Sequence, residues 1–193
     1  MILPILSYGH SILRKKCIDI DKDYPELEKI VNNMWTTLYS ANGMGLAASQ
    51  INHALKLFIV DSKQVYDNLE EKEREFLFPD DQGIVETFID AKITYRSEKT
   101  WVESEGCLSI PMVREDVQRP WDIEIEYLDR QFQKQKKHFS GETARAVQHE
   151  YDHTDGILYI DHINLLKRKL LSRKLIQISE GKVDVKYKMK FVK

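Results

Sequence analysis

The chemistry-bearing residues of this chain concentrate in Gln148-His149-Glu150-Tyr151-Asp152-His153. The surrounding run, Glu142 to Tyr159, reads as a helix that enters a turn at Asp155-Gly156. On a helix, His149 and His153 are four residues apart and stack on one face, close enough to share one metal ion. Glu150 is turned about 100° from His149, so it is better placed to reach a metal-bound water than the metal. Two imidazole ligands with a carboxylate beside the bound water is a layout for metal-assisted hydrolysis. Two His at this spacing also occur on solvated amphipathic helices, but the order His-Glu-x-x-His is much rarer by chance. Ser140 is the expected cap of this helix, and Glu142 falls in its first turn, where negative charge suits the dipole.

A two-His site needs a third ligand. Cys107, in Glu105-Gly106-Cys107-Leu108-Ser109-Ile110-Pro111, ends a predicted strand and is the one cysteine outside the N-terminal arm. A cytoplasmic cysteine is more often a small buried hydrophobe. A thiolate with two imidazoles and an open fourth position would instead make a catalytic site.

The rest of the chain must position these groups. With 193 residues it suits one compact domain. A hydrophobic fraction of 42% and a formal net charge of −2 imply neither a nucleic-acid nor a membrane partner by global attraction. No apolar run approaches the ~20 residues that span a bilayer. The Met1-Ile2-Leu3-Pro4-Ile5 start does not read as a signal peptide, and two cysteines at unrelated spacing fit a reduced, cytoplasmic setting.

Residues 1–24 read as irregular. A helix is expected from Pro25, with Leu27, Ile30, Val31, Met34, Trp35 and Leu38 inward and Asn42-Gly43 as its end. Gly43-Met44-Gly45-Leu46-Ala47-Ala48-Ser49-Gln50 follows. Its two glycines allow close approach of another chain, and the Gln50 amide could donate a hydrogen bond in a cleft. Strands are expected at 55–61, 84–94 and 99–102, with an alternating one at Ile123-Glu124-Ile125-Glu126-Tyr127 and a return over Gln135 to Phe139. Residues 63–83 read as a charged surface insertion with a short helix. A last helix is expected over Asn164 to Ser179, with Leu165, Leu166, Leu170, Leu175 and Ile178 inward and Gly181 as a stop. A basic tail closes the chain.

Taken together, three stretches resemble the peptide deformylase family: residues 43–50, residues 105–109 and residues 148–153, in matching order and spacing. The resemblance implies an α+β fold in which antiparallel strands pack around a central helix carrying His-Glu-x-x-His, flanked by N-terminal and C-terminal helices. It implies one such domain over 1–193 and removal of the formyl group from formyl-methionyl nascent peptides, with release of formate. Cys107, His149 and His153 resemble the family's metal ligands and Glu150 its general acid/base, while Gln50 and the Leu108 backbone N–H resemble its oxyanion donors. Gly43, Met44, Gly45, Glu105, Gly106, Arg145 and Ala146 fall at its substrate-contacting positions. One divalent metal per chain is implied, Fe²⁺ natively, with Zn²⁺, Ni²⁺ or Co²⁺ able to replace it. Partners are N-formyl-methionyl peptides and nascent chains, with ribosome contact through the basic C-terminal region weighed against a plain solvated helix face.

Three positions depart from the usual pattern: Asp90-Ala91 stands for Asn-Pro, Met112 for a Gly, and Thr154 for a Leu. Two other readings compete. A metzincin-type zinc peptidase would want a third His at 159, which is Tyr159, and His162 is three residues late. A structural zinc site would need Cys17 or His10 as a fourth ligand.

Overall fold

The computed structural model of the chain describes residues 1–77 and 81–192. In chain order the elements are β1 (Ile5–Leu6), α1 (Leu27–Ser40), β2 (Gly45–Ala47), β3 (Leu57–Asp61), α2 (Lys63–Asp67), α3 (Glu71–Leu77) and β4 (Val85–Arg96). They continue with β5 (Thr100–Cys107), β6 (Ile110–Pro120), β7 (Asp122–Leu128), β8 (Lys134–Ser140), α4 (Gly141–Thr154), α5 (Leu165–Ser179) and β9 (Met189–Lys190). The architecture is α+β. Strands β2-β3-β4-β7-β8 form an antiparallel sheet, β5 and β6 form a separate antiparallel hairpin, and β1 pairs in parallel with β9.

Local chemistry explains most element boundaries. Helix α1 begins two residues later than the proline suggested, because Glu26 sits at φ 58, in the left-handed region. Its apolar stripe Leu27, Ile30, Val31, Met34 and Leu38 is buried as the spacing requires. On β7 the alternation holds: Ile123, Ile125 and Tyr127 are buried and the intervening carboxylates face outward. The insertion carries two helices, α2 and α3, where one was expected; its residues 78–80 lie outside the described residues.

Two elements differ from the reading of the sequence. Strand β6 was not anticipated. Its inward positions include Glu115 and Arg119 beside Val113 and Val117, so the apolar alternation that marks a half-buried strand is broken by charge. On α5, Leu165, Leu166 and Leu170 are not inward but 76%, 70% and 76% exposed. The face that packs is Leu171, Leu175 and Ile178, spaced four and three apart.

The three departures have local explanations. Asp90 adopts φ 50 and its carboxylate accepts the Ile20 N–H at 3.0 Å, as short polar side chains in left-handed backbone often do. Met112 sits at φ 59, where glycine is the unstrained choice, with its side chain 65% exposed. Thr154 is buried, its hydroxyl donating to the Tyr151 carbonyl at 2.7 Å while its own carbonyl accepts the Cys17 N–H at 2.8 Å. Among the described residues, no helix is long and apolar enough to cross a membrane.

Candidate active site

Helix α4 packs Ala144 and Val147 against Phe58, Phe88, Ile123 and Ile125 of the five-stranded sheet. Its N-terminus is not capped by Ser140, whose side chain makes no capping bond. Asp81, from the far end of the insertion, does that work instead: its carboxylate accepts the Thr143 N–H at 2.8 Å and the Thr143 hydroxyl at 2.7 Å.

Besides Thr143 and Thr154, six side chains of α4 that carry charge, an amide or an imidazole are buried: Arg145, Gln148, His149, Glu150, Asp152 and His153. Burial on this scale requires partners. The hairpin β5–β6 supplies them for all but Glu150. Glu105 of β5 accepts Nε and Nη2 of Arg119 (2.5 and 2.9 Å), Nη1 of Arg145 (2.6 Å) and faces His149 Nδ1 at 3.1 Å. Arg119 of β6 also donates to Asp152 at 2.8 Å, and Asp152 in turn holds His162 Nε2 at 2.7 Å. Burial alone would push the Glu105 carboxyl up, but His149 and Arg119 hold it well below the usual range, so it is an anion and not a proton carrier.

With Nδ1 committed to Glu105, His149 turns its other nitrogen toward Cys107. His153 Nε2 lies 3.3 Å from Cys107 Sγ, and burial together with the neighbouring His149 pushes its pKa down to about 3, so it is neutral. The ligand atoms of Cys107, His149 and His153 all lie within 4.8 Å of one another, and no fourth His, Cys, Asp or Glu joins them among the described residues. One sulfur and two imidazole nitrogens with a free coordination direction are a donor set that fits a catalytic transition metal.

Two groups border this cluster. Gln50 is buried; its Oε1 accepts the Ala47 N–H at 2.8 Å, which aims Nε2 at Ser109 Oγ (3.2 Å) and Cys107 Sγ (3.5 Å). Glu150 is buried with Oε2 unpartnered, and burial pushes its carboxyl up to about 7. Its carboxylate lies over Gly45, where an added Cβ would come within 2.5 Å of Oε1. Gly45 is therefore required for space.

These groups open on a cleft of about 620 Å³. Gly43, Met44, Gly45 and Gln50 form one wall, and Glu105, Gly106, Cys107 and Leu108 another. Arg145, Ala146, His149 and Glu150 form the floor, while His153 enters through the cluster instead of the lining. The Glu105 and Arg145 side chains are turned away from solvent: Arg145 donates to the carbonyls of Val117 (3.0 Å) and Trp101 (3.2 Å) and stacks over the Trp101 ring at 4.3 Å. Arg119, Asp152 and Asp81 were not foreseen. Arg119 lies on the unanticipated strand, and no short-range pattern ties Asp81 to a helix that starts sixty residues later.

A family model described as polypeptide deformylase matches residues 2–169. The chain belongs to the polypeptide deformylase family. It is 48% identical to the peptide deformylase of Christiangramia forsetii, covering 99% of this chain and 96% of that protein. It is 45% identical to that of Flavobacterium psychrophilum, covering 100% and 98%. Solved structures agree: the peptide deformylase of Ehrlichia chaffeensis superposes with a TM-score of 0.82 at 25% identity, covering 94% of this chain and 99% of that one. The Legionella pneumophila enzyme gives 0.78 at 29% identity, covering 94% and 98%. Removal of N-formyl groups from nascent peptides, with a dependence on metal, is the activity that membership in the deformylase family carries. The competing readings fail on geometry as well. Tyr159 donates its hydroxyl to the Val113 carbonyl, His162 is spent on Asp152, and His10 reaches the Lys190 carbonyl.

Proposed function

We infer that Cys107, His149 and His153 hold one divalent cation and that Glu150 moves the proton in hydrolysis of the formyl amide. The buried, unpartnered Oε2 of Glu150 beside a three-ligand cluster carries this reading. A cation held there would supply Lewis acidity toward a water and the formyl carbonyl. The resemblance favours Fe²⁺ natively, replaceable by Zn²⁺, Ni²⁺ or Co²⁺, and the mixed sulfur and nitrogen donors suit that group of ions.

Glu150 accepts a proton from the attacking water and returns it to the leaving amine nitrogen as the C–N bond breaks, giving formate and a free N-terminal methionine. A carboxyl raised toward neutrality suits this exchange, since proton transfer is most efficient near the working pH. Gln50 Nε2 and the Leu108 N–H donate to the carbonyl oxygen as charge grows on it. The peptide lies extended between the Gly43-Met44-Gly45 backbone and the Glu105-Gly106 edge, with Arg145 and Ala146 beneath. Backbone pairing of this kind tolerates varied side chains beyond the methionine.

The chain reads as one domain over 1–193 organised around α4, with the charged insertion and the basic tail as peripheral additions, working in the cytoplasm on formyl-methionyl nascent chains. Lys167, Arg168, Lys169, Arg173 and Lys174, on a helix that also exposes leucines, suit contact with the ribosome. The test is formate release from formyl-Met-Ala-Ser by anaerobically purified protein. The reading requires turnover with that peptide and far slower turnover with its N-acetyl counterpart. Equal kcat/KM for both would mean a broader amidase.

A further inference from the structure

The C-terminal segment is more than a basic tail. Residues 182–191 alternate: Lys182, Asp184, Lys186, Lys188 and Lys190 face outward, and Val183, Val185, Tyr187, Met189 and Phe191 are half-buried. The segment lies beyond the span matched by the family model, which ends at residue 169. It is tied to the N-terminal arm by the Ile5 N–H to the Lys188 carbonyl and the Ser7 N–H to the Lys190 carbonyl, both at 2.9 Å.

Immediately before those ties, Tyr187 reaches the turn that follows Cys107. Its hydroxyl donates to the Leu108 carbonyl at 2.7 Å. The next carbonyl, of Ser109, accepts the Tyr8 N–H at 2.7 Å, and Ser109 Oγ accepts Gln50 Nε2 at 3.2 Å. The Tyr187 ring packs in the same apolar cluster as Leu46 and the Leu108 side chain. Burial raises the Tyr187 pKa further above its ordinary value, so the hydroxyl is a donor throughout the working pH range.

We propose that Tyr187 is a positioning residue for deformylation, fixing Leu108 so that its N–H meets the developing oxyanion. The hydrogen bond holds the peptide plane after Leu108, and the Tyr8 contact holds the one after that. The conformation of Leu108, and with it the direction of its N–H, is therefore set from both chain termini. A preorganised donor needs such support, because a small misdirection weakens it where charge develops. The proposal rests on reading the Leu108 N–H as an oxyanion donor.

The test is Tyr187→Phe in the metal-loaded protein, which keeps the ring packing and removes only the hydroxyl. Loss of one neutral hydrogen bond acting through Leu108 is expected to lower kcat roughly 3- to 10-fold. KM and metal content should be unchanged, and Lys188→Ala, an outward-facing neighbour, should match the parent. Unchanged kcat overturns the proposal. So does a fall in kcat that tracks metal loss, which would mean the hydroxyl steadies the Cys107 ligand. A raised KM at constant kcat also overturns it, making Tyr187 a wall of the cleft only. Gln50→Ala, measured alongside, separates the two levels. Full kcat in Gln50→Ala undoes the oxyanion reading itself. Loss of turnover in Gln50→Ala with none in Tyr187→Phe undoes the role of Tyr187 alone.

Discussion

Helices α4 and α5 are almost equal in length, 14 and 15 residues, and opposite in fate. The first contains no leucine and buries all but Glu142 and Tyr151. The second contains five leucines and fully buries only Leu175 and Ile178. Apolar content therefore does not decide which helix goes inside. What distinguishes α4 is that three of its buried ionisable groups find fixed partners on the β5–β6 hairpin: Arg145 and His149 on Glu105, Asp152 on Arg119, while Glu150 is left facing the site. Helix α5 meets the same hairpin at its N-terminal half through the half-exposed Lys167, 3.5 Å from Glu115, while Leu165, Leu166 and Leu170 stay in solvent.

The difference between the helices can be broken at several places. The largest effect is expected at the cluster. His149→Ala removes one of three ligands, and the purified protein should lose its metal and its deformylase activity together; full metal occupancy in that variant would exclude His149 as a ligand. Next comes the support behind it. Glu105→Gln should weaken metal affinity or activity by roughly 10- to 100-fold, as loss of an orienting carboxylate behind a ligand does. It should also lower stability, on the order of 3–5 kcal/mol, because Arg145 is left with uncompensated buried charge and Arg119 keeps Asp152 alone. Metal titration and denaturant unfolding would read the two parts separately, and a variant as stable as the parent would mean the network contributes little. Smaller effects come from α5. Leu175→Ala should cost about 2–4 kcal/mol by leaving a cavity beside Ile178. Leu170→Ala should fall within about 0.5 kcal/mol, as surface changes do. Equal losses in the two would mean that the exposed face is covered in solution.

Much of α4 was legible because its candidate ligands sit in one short run, and because His at i and i+4 has a geometric meaning that survives burial. Cys107 and Gln50 stood out by residue type and context, and the roles given to them and to the Leu108 N–H come from the order of three motifs. The support was not legible. Arg119 lies on a strand whose inward positions alternate valine with charge, so period-two hydrophobicity was broken. Asp81 caps α4 from a segment that reads as solvated charge, and the Ser140 that local rules favour as a cap makes no such bond. The leucines of α5 misled for a related reason. A helix presents one face, and Leu170 lies about 100° around from Leu171, so both cannot pack on the same surface. Local pattern cannot say which stripe meets the fold.

The central claim, that Glu150 moves the proton while Cys107, His149 and His153 hold the metal, is tested most directly by one variant. Glu150→Gln keeps the size and polarity of the side chain and removes its basicity. Metal content by elemental analysis should equal that of the parent, while kcat for formate release from formyl-Met-Ala-Ser should fall by ~10²–10⁴-fold. Metal loss as complete as in His149→Ala would make Glu150 a ligand, and near-full turnover would assign the proton to another group; either result contradicts the mechanism.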